Sequence, residues 1–153
     1  MVTYGKKYGT LASPKRAKYT FQGWYTAKTK GTKITKNSIV NITKNTTLYA
    51  HWKKVAKPGK VKKPTVKNSA KKAMKVTFKK VKGADGYQIS YSTSKKFKKG
   101  SVKTVTAAKS PKTIKKLKKG KTYYVRVCAY KKDSAGGKVR GANSKAVAVT
   151  IKK

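Results

Sequence analysis

The chain has 153 residues, with 43 lysines and arginines against two acidic residues, for a formal net charge of +41 at pH 7. Its sole carboxylates are Asp85 and Asp133, and it has one histidine, His51, and one cysteine, Cys128. That inventory excludes an internal disulfide or cysteine-based metal site and leaves no base-and-orienter set for nucleophilic catalysis.

Residues 1–52 read as a first module. Val2–Gly5 and Tyr8–Leu11 predict a strand and a turn, and Ser13-Pro14 ends that segment. Tyr19–Thr26 alternates in the period of a strand, with Gly23 as a bend or bulge. Ala27–Gly31 is a predicted turn, Ile34, Ile39, Val40 and Ile42 are scattered apolar positions, and Thr46–Trp52 is a last strand. Residues 53–63, KKVAKPGKVKK, have turn and charge character without periodicity and read as an extended linker.

Residues 64–153 read as seven strands. They fall at Thr65–Asn68, Ala73–Lys79, Tyr87–Ser92, Val102–Ala107, Thr113–Leu117, Tyr123–Tyr130 and Ala146–Ile151. In the sixth, Tyr123, Val125, Val127 and Ala129 point one way and Tyr124, Arg126, Cys128 and Tyr130 the other. Leu117-Lys-Lys-Gly-Lys-Thr-Tyr123 places a turn glycine between a leucine and a tyrosine. The expected core is Val66, Met74, Val76, Phe78, Tyr87, Ile89, Tyr91, Val105, Ile114, Leu117, Tyr123, Val125, Val127, Val147, Val149 and Ile151.

Two families are resembled. VTYGKKYGTL, SPKRAKYTFQGWYT, GTKI and NTTLYAHW, within residues 2–52, resemble the Listeria–Bacteroides repeat, also called the internalin B-repeat. The resemblance implies a small β-grasp-like module from bacterial surface proteins. The family's usual first strand, ending in Asn-Gly-Gly, is missing, which implies an exposed sheet edge beside Val2–Tyr4. Lys30 stands where the family tends to have glycine. Val76-Thr-Phe78, Gly86–Tyr91, Leu117–Tyr123 and Val125–Ala129 resemble fibronectin type III. That implies a Greek-key β-sandwich whose Tyr123 hydroxyl ties back to the preceding corner, with Phe78 in place of the usual tryptophan. The expected fold is therefore all-β: a repeat module at 1–52, a linker at 53–63 and a sandwich at 64–153.

The chemistry that remains is lysine. Lys95, Lys96, Lys98 and Lys99 fall in the loop before the fourth sandwich strand; Lys115, Lys116, Lys118, Lys119 and Lys121 fall around the corner before the sixth. A charge run is ordinarily a solvated face, but here almost no acid offsets it, so these nine lysines are the candidate polyanion-binding residues. Forty lysines against three arginines favour point-charge contacts over base-edge readout, so sequence-specific nucleic-acid recognition is not expected. Trp24, Tyr25, Tyr49 and Trp52 could form a sugar platform, but the preferred reading is the core of a tiny module. His51 lacks partners for a metal, and no catalytic, cofactor or metal residue is assigned. No apolar run approaches the roughly 18 residues of a membrane span. With no leader visible before Val2–Tyr4, the protein is either cytoplasmic or, the preferred expectation, a monomeric fragment of a larger secreted or surface repeat protein. Its expected role is adhesion or spacing on an anionic polysaccharide, such as teichoic acid or a heparin-like glycan, or another cell-surface polyanion. Non-specific nucleic-acid binding is the alternative.

Overall fold

The computed structural model describes residues 2–152. Two units are present: residues 1–55 with 132–137, and residues 56–131 with 138–153.

The first unit is built on β1 (Tyr19–Tyr25), β2 (Lys33–Ile34) and β3 (Tyr49–Lys54), an antiparallel sheet in the order β2-β1-β3. The register of β1 on β3 shifts between Phe21 and Gly23, the bulge expected at this glycine, whose φ is +130°. Phe21 packs between Trp24 and Trp52, with ring centroids 5.7 and 5.4 Å away. Trp24 donates its indole N–H to the carbonyl of Ala12, which closes the polar end of a mostly apolar ring.

The strand expected at Val2–Gly5 is not formed. The amide of Lys6 turns back to the carbonyl of Thr3, Gly5 takes a φ of +74°, and ladder pairing is limited to a single bridge from Lys7 to Ile39. Val2–Tyr4 therefore lies on no sheet edge; the edges are β2 and β3. Of residues 53–63, Lys53 and Lys54 complete β3, and Val61 is 1% exposed within the core of the second unit.

The second unit contains β4 (Thr65–Ala70), β5 (Ala73–Thr77), β6 (Gly86–Ser92), β7 (Lys103–Ala107), β8 (Lys112–Ile114), all but the last residue of β9 (Thr122–Lys132), β10 (Lys138–Arg140) and β11 (Val147–Thr150). One sheet runs β4-β5-β8; the other runs β10-β9-β6-β7, with β11 also paired to β9. The single last strand expected at Ala146–Ile151 is thus the second of two segments on β9. Strand β10 escaped the sequence reading because only Val139 is apolar between Lys138 and Arg140.

Alternation explains the core. Tyr123, Val125, Val127 and Ala129 on β9 share one buried cluster with Met74, Val76, Ile89 and Ile151, and none of these is more than 9% exposed. Burying one such aliphatic side chain contributes about 1.5–3 kcal/mol. Val66, Val105 and Val149 only flank the core, and Val147 is half-buried. The opposite face of β9 is covered too: Cys128 and Tyr130 are buried, and the Arg126 guanidinium lies 4.1 Å from the Phe97 ring centroid.

The corner forms as the resemblance implies. Leu117 is buried, and the Tyr123 hydroxyl accepts the Lys118 amide at 3.1 Å. Four lysines, Lys18, Lys30, Lys72 and Lys116, have φ between +52° and +66°.

Two outcomes follow from these contacts. Tyr123→Phe should lower the stability of the second unit by roughly 1 kcal/mol, the scale of one buried hydrogen bond, and denaturant melts will read it. In the first unit, Asp133 accepts the amides of Lys18 at 2.7 Å, Gly137 at 2.7 Å and Ala135 at 3.0 Å. The Lys18 amide leads in holding its carboxyl below the ordinary carboxylate range; desolvation opposes, and the Gly137 and Ala135 amides assist. Its contribution is therefore complete above the unfolded value and lost as pH falls through the lower folded one. Amide spectra recorded from about pH 6 downward should show Lys18, Ala135 and Gly137 released together, starting below about pH 4.

Candidate functional site

The loop between β6 and β7 is held at its base by neutral hydroxyls. Ser92, 1% exposed, has its Oγ 2.8 Å from that of Ser101 and accepts the Ser94 amide at 3.0 Å. The Ser101 hydroxyl also donates to the Lys98 carbonyl at 2.7 Å. Phe97, at a φ of +50°, turns its ring onto Arg126. With those groups anchored, Lys95, Lys96, Lys98 and Lys99 are left exposed to solvent.

The corner between β8 and β9 is anchored as firmly. The Leu117 amide donates to the Lys72 carbonyl, and the Gly120 amide to that of Ile151. Ile114 and Leu117 point inward, so Lys115, Lys116, Lys118, Lys119 and Lys121 face water.

These two segments border a cleft of about 330 Å³. Lys116, Lys118 and Lys121 line it, together with Lys103, Thr93, Ser101 and the rings of Tyr91 and Tyr123. The other six candidate lysines are exposed in the same two loops but do not line the cleft. Lys103 was missed because it stands alone on a strand. Its signal was register: Lys103 is the direct partner of Tyr91 across β6 and β7. Burial, and secondarily the neighbouring Tyr123, pushes the Tyr91 phenol above its ordinary pKa, so it keeps its proton. The cleft thus presents four ammonium groups and several hydroxyl donors, the inventory for a phosphate or sulfate oxyanion.

Other chemistry has less to work with. Among the described residues, no three His, Cys, Asp or Glu side chains gather where they could hold a metal. His51 stacks on Tyr25 with centroids 3.8 Å apart, and its Nε2 lies 2.8 Å from the Ala27 carbonyl oxygen. Cys128 is buried, and that burial pushes its thiol pKa up against the smaller lowering effects of Arg140, the Gln88 backbone and Arg126. The raised value disfavours the reactive thiolate. No helix among the described residues is long and apolar enough to cross a membrane.

Residues 56–142 match the family model of the fibronectin type III domain, and residues 1–51 match that of the Listeria-Bacteroides repeat domain. No curated protein matches the chain. Among solved structures, the FN1-FN3 domains of chicken CNTN1 share 20% identity over 71% of this chain and 36% of that one, at a TM-score of 0.56. The FN5 domain of Drosophila Lar shares 18% over 63% and 98%, at 0.50. A Fn3-like protein from Clostridium thermocellum shares 21% over 64% and 97%, at 0.49. At their identities, the likeness to the CNTN1 and Lar domains is one of fold. The two domain types are typically non-catalytic, and together they suggest an extracellular surface module. The chain belongs to the fibronectin type III family through residues 56–142, and residues 1–51 ahead of them are similar to the Listeria-Bacteroides repeat domain.

Proposed function

We propose that this chain is a non-enzymatic surface module that binds anionic polymers by electrostatics, in an adhesive or spacing role. The observation that carries the reading is the gathering of Lys103, Lys116, Lys118 and Lys121 around one cleft in a molecule of formal charge +41. The flanking Lys95, Lys96, Lys98, Lys99, Lys115 and Lys119 extend the basic surface. A sulfated or phosphate-bearing polysaccharide, of the heparin or teichoic acid kind, fits that chemistry, and association would release its counterions. Lysine recognises the charge more than the pattern of the polymer, so duplex DNA should be held about as well as heparin, with no base preference.

The test is binding to heparin and to duplex DNA across a salt series. Both should weaken steeply with salt, and a DNA sequence and its scramble should bind alike. A roughly thousandfold preference for one sequence would overturn the reading, since specific DNA binders show at least that ratio. Replacing Lys103, Lys116, Lys118 and Lys121 with Gln should flatten the DNA salt dependence by about one unit of log–log slope per lysine engaged. Replacing the exposed Lys62, Lys63, Lys79 and Lys80 should change it less.

Charge also acts on folding. The native state concentrates +41 in a small volume, and salt screens it as the Debye length falls from about 30 Å at 0.01 M to about 10 Å at 0.1 M. The melting temperature should rise between about 10 and about 150 mM salt. Heparin at a hundred times its dissociation constant should add up to about 2.7 kcal/mol, with a larger rise at low salt than at high. A flat or falling melting temperature without heparin would overturn the self-repulsion argument.

A further inference from the structure

A second basic cleft, of about 470 Å³, lies wholly within the first unit. It is lined by Arg16, Lys28, Lys30, Tyr19, His51 and Trp52, with Thr29 and Ala50 between them. Three cations and no carboxylate line it.

Arg16, one of three arginines in the chain, lines this cleft, whereas Arg126 lies against Phe97 on the second unit. Its guanidinium carbon stands 4.2 Å from the Tyr19 ring centroid and 5.9 Å from that of Trp52. Such stacking occupies the guanidinium's flat face and leaves its in-plane N–H donors directed outward. The backbone beneath it is fixed. The Arg16 amide donates to the Ser134 hydroxyl at 2.9 Å, that hydroxyl donates to the Arg16 carbonyl at 3.1 Å, and the Tyr19 amide donates to the same carbonyl at 3.2 Å. Asp133, the nearest acid in sequence to that serine, spends both carboxylate oxygens on backbone amides. No ion pair or side-chain hydrogen bond of Arg16 exists among the described residues.

The far wall is equally well placed. Thr26 and Thr32 close the turn that carries Lys28 and Lys30: the Thr32 amide donates to the Thr26 hydroxyl at 2.9 Å, and the Thr26 amide to the Thr32 carbonyl at 3.1 Å. His51 ties the same turn to β3 through the Ala27 carbonyl. Trp52 packs against Phe21 and also borders the cleft.

We propose that this cleft is a subsite for one anionic sugar unit, a hexuronate or a sugar phosphate. Arg16 pairs two oxygens of the anionic group, Lys28 and Lys30 supply further charge, and Trp52 takes the apolar face of the sugar ring. A planar guanidinium with free edges recognises a carboxylate or phosphate by two parallel hydrogen bonds, which the loop lysines of the second unit cannot do. The proposal stands apart from the lysine reading, because it concerns a different unit and a different cation.

The experiment titrates the full chain, in about 150 mM salt so that loose charge attraction is screened, with glucuronate, glucose 6-phosphate and glucose, followed by backbone, arginine and indole NMR signals. Saturable shifts at Arg16, Lys28, Lys30 and the Trp52 indole are expected with an anionic sugar, with a dissociation constant on the order of 1 mM. Glucose should leave them unmoved. A preference for glucuronate assigns the site to a carboxylate, and a preference for glucose 6-phosphate assigns it to a phosphate; either supports the proposal. Arg16→Lys keeps the charge and should weaken binding about fivefold or more through loss of the paired hydrogen bonds, while heparin binding by the second unit stays unchanged. Equal affinity in wild type and Arg16→Lys would overturn the proposal. So would acetate or inorganic phosphate binding as well as the sugars, or shifts confined to Lys103–Lys121.

Discussion

With 43 cationic side chains and two carboxylates, this fold is held mainly by contacts that carry no charge, the Asp133 carboxylate on its three backbone amides being an exception. The work falls to apolar burial and to neutral hydrogen bonds at the places where strands change direction. Leu117 fills the end of the core, and Tyr123 accepts the Lys118 amide beside it. Ser92 and Ser101 join the two ends of the β6–β7 loop, and the Trp24 indole holds the Ala12 carbonyl. Each anchor is short-ranged and insensitive to screening, whereas the opposing repulsion is long-ranged and weakened by salt. The lysines therefore sit outside a scaffold that does not need them.

That division also sorts the two basic clefts by chemistry. Around the β8–β9 corner the cations are flexible ammonium groups on exposed turns, backed by hydroxyls. Such groups follow a charged polymer without demanding one orientation of it. In the first unit a single guanidinium is stacked on a ring and its backbone is pinned, so its donors point in fixed directions. The first arrangement favours avidity along a chain, and the second favours discrimination at one residue of it.

Legibility in the sequence followed the strength of the local pattern. The alternation of Tyr123–Tyr130 announced β9, and Gly23 announced the bulge in β1, because both reflect backbone requirements that few residues satisfy. The corner was legible because leucine, glycine and tyrosine each have a separate reason to be there. Val2–Tyr4 misled, since an apolar-polar-apolar triplet says nothing of the turn that Gly5 imposes at the next residue. Val61 was hidden in a lysine-rich segment, and its burial depends on packing that no local window contains. Lys103 was hidden for a related reason: it reaches the cleft through pairing with Tyr91, a relation between strands.

Lys18, Lys30, Lys72 and Lys116 adopt a backbone conformation that glycine reaches freely, whereas a side chain bearing a Cβ meets steric resistance of roughly 1–2 kcal/mol. At these turns two separate costs share one residue, a backbone cost set by the Cβ and an electrostatic cost set by the ammonium. Acetylating such a lysine would remove the charge and leave the backbone cost in place. Exchange for glycine would remove both. A comparison of the two treatments at these four turns would thus separate the steric from the electrostatic component of this molecule's instability, a separation that lysines in ordinary strand conformation do not permit.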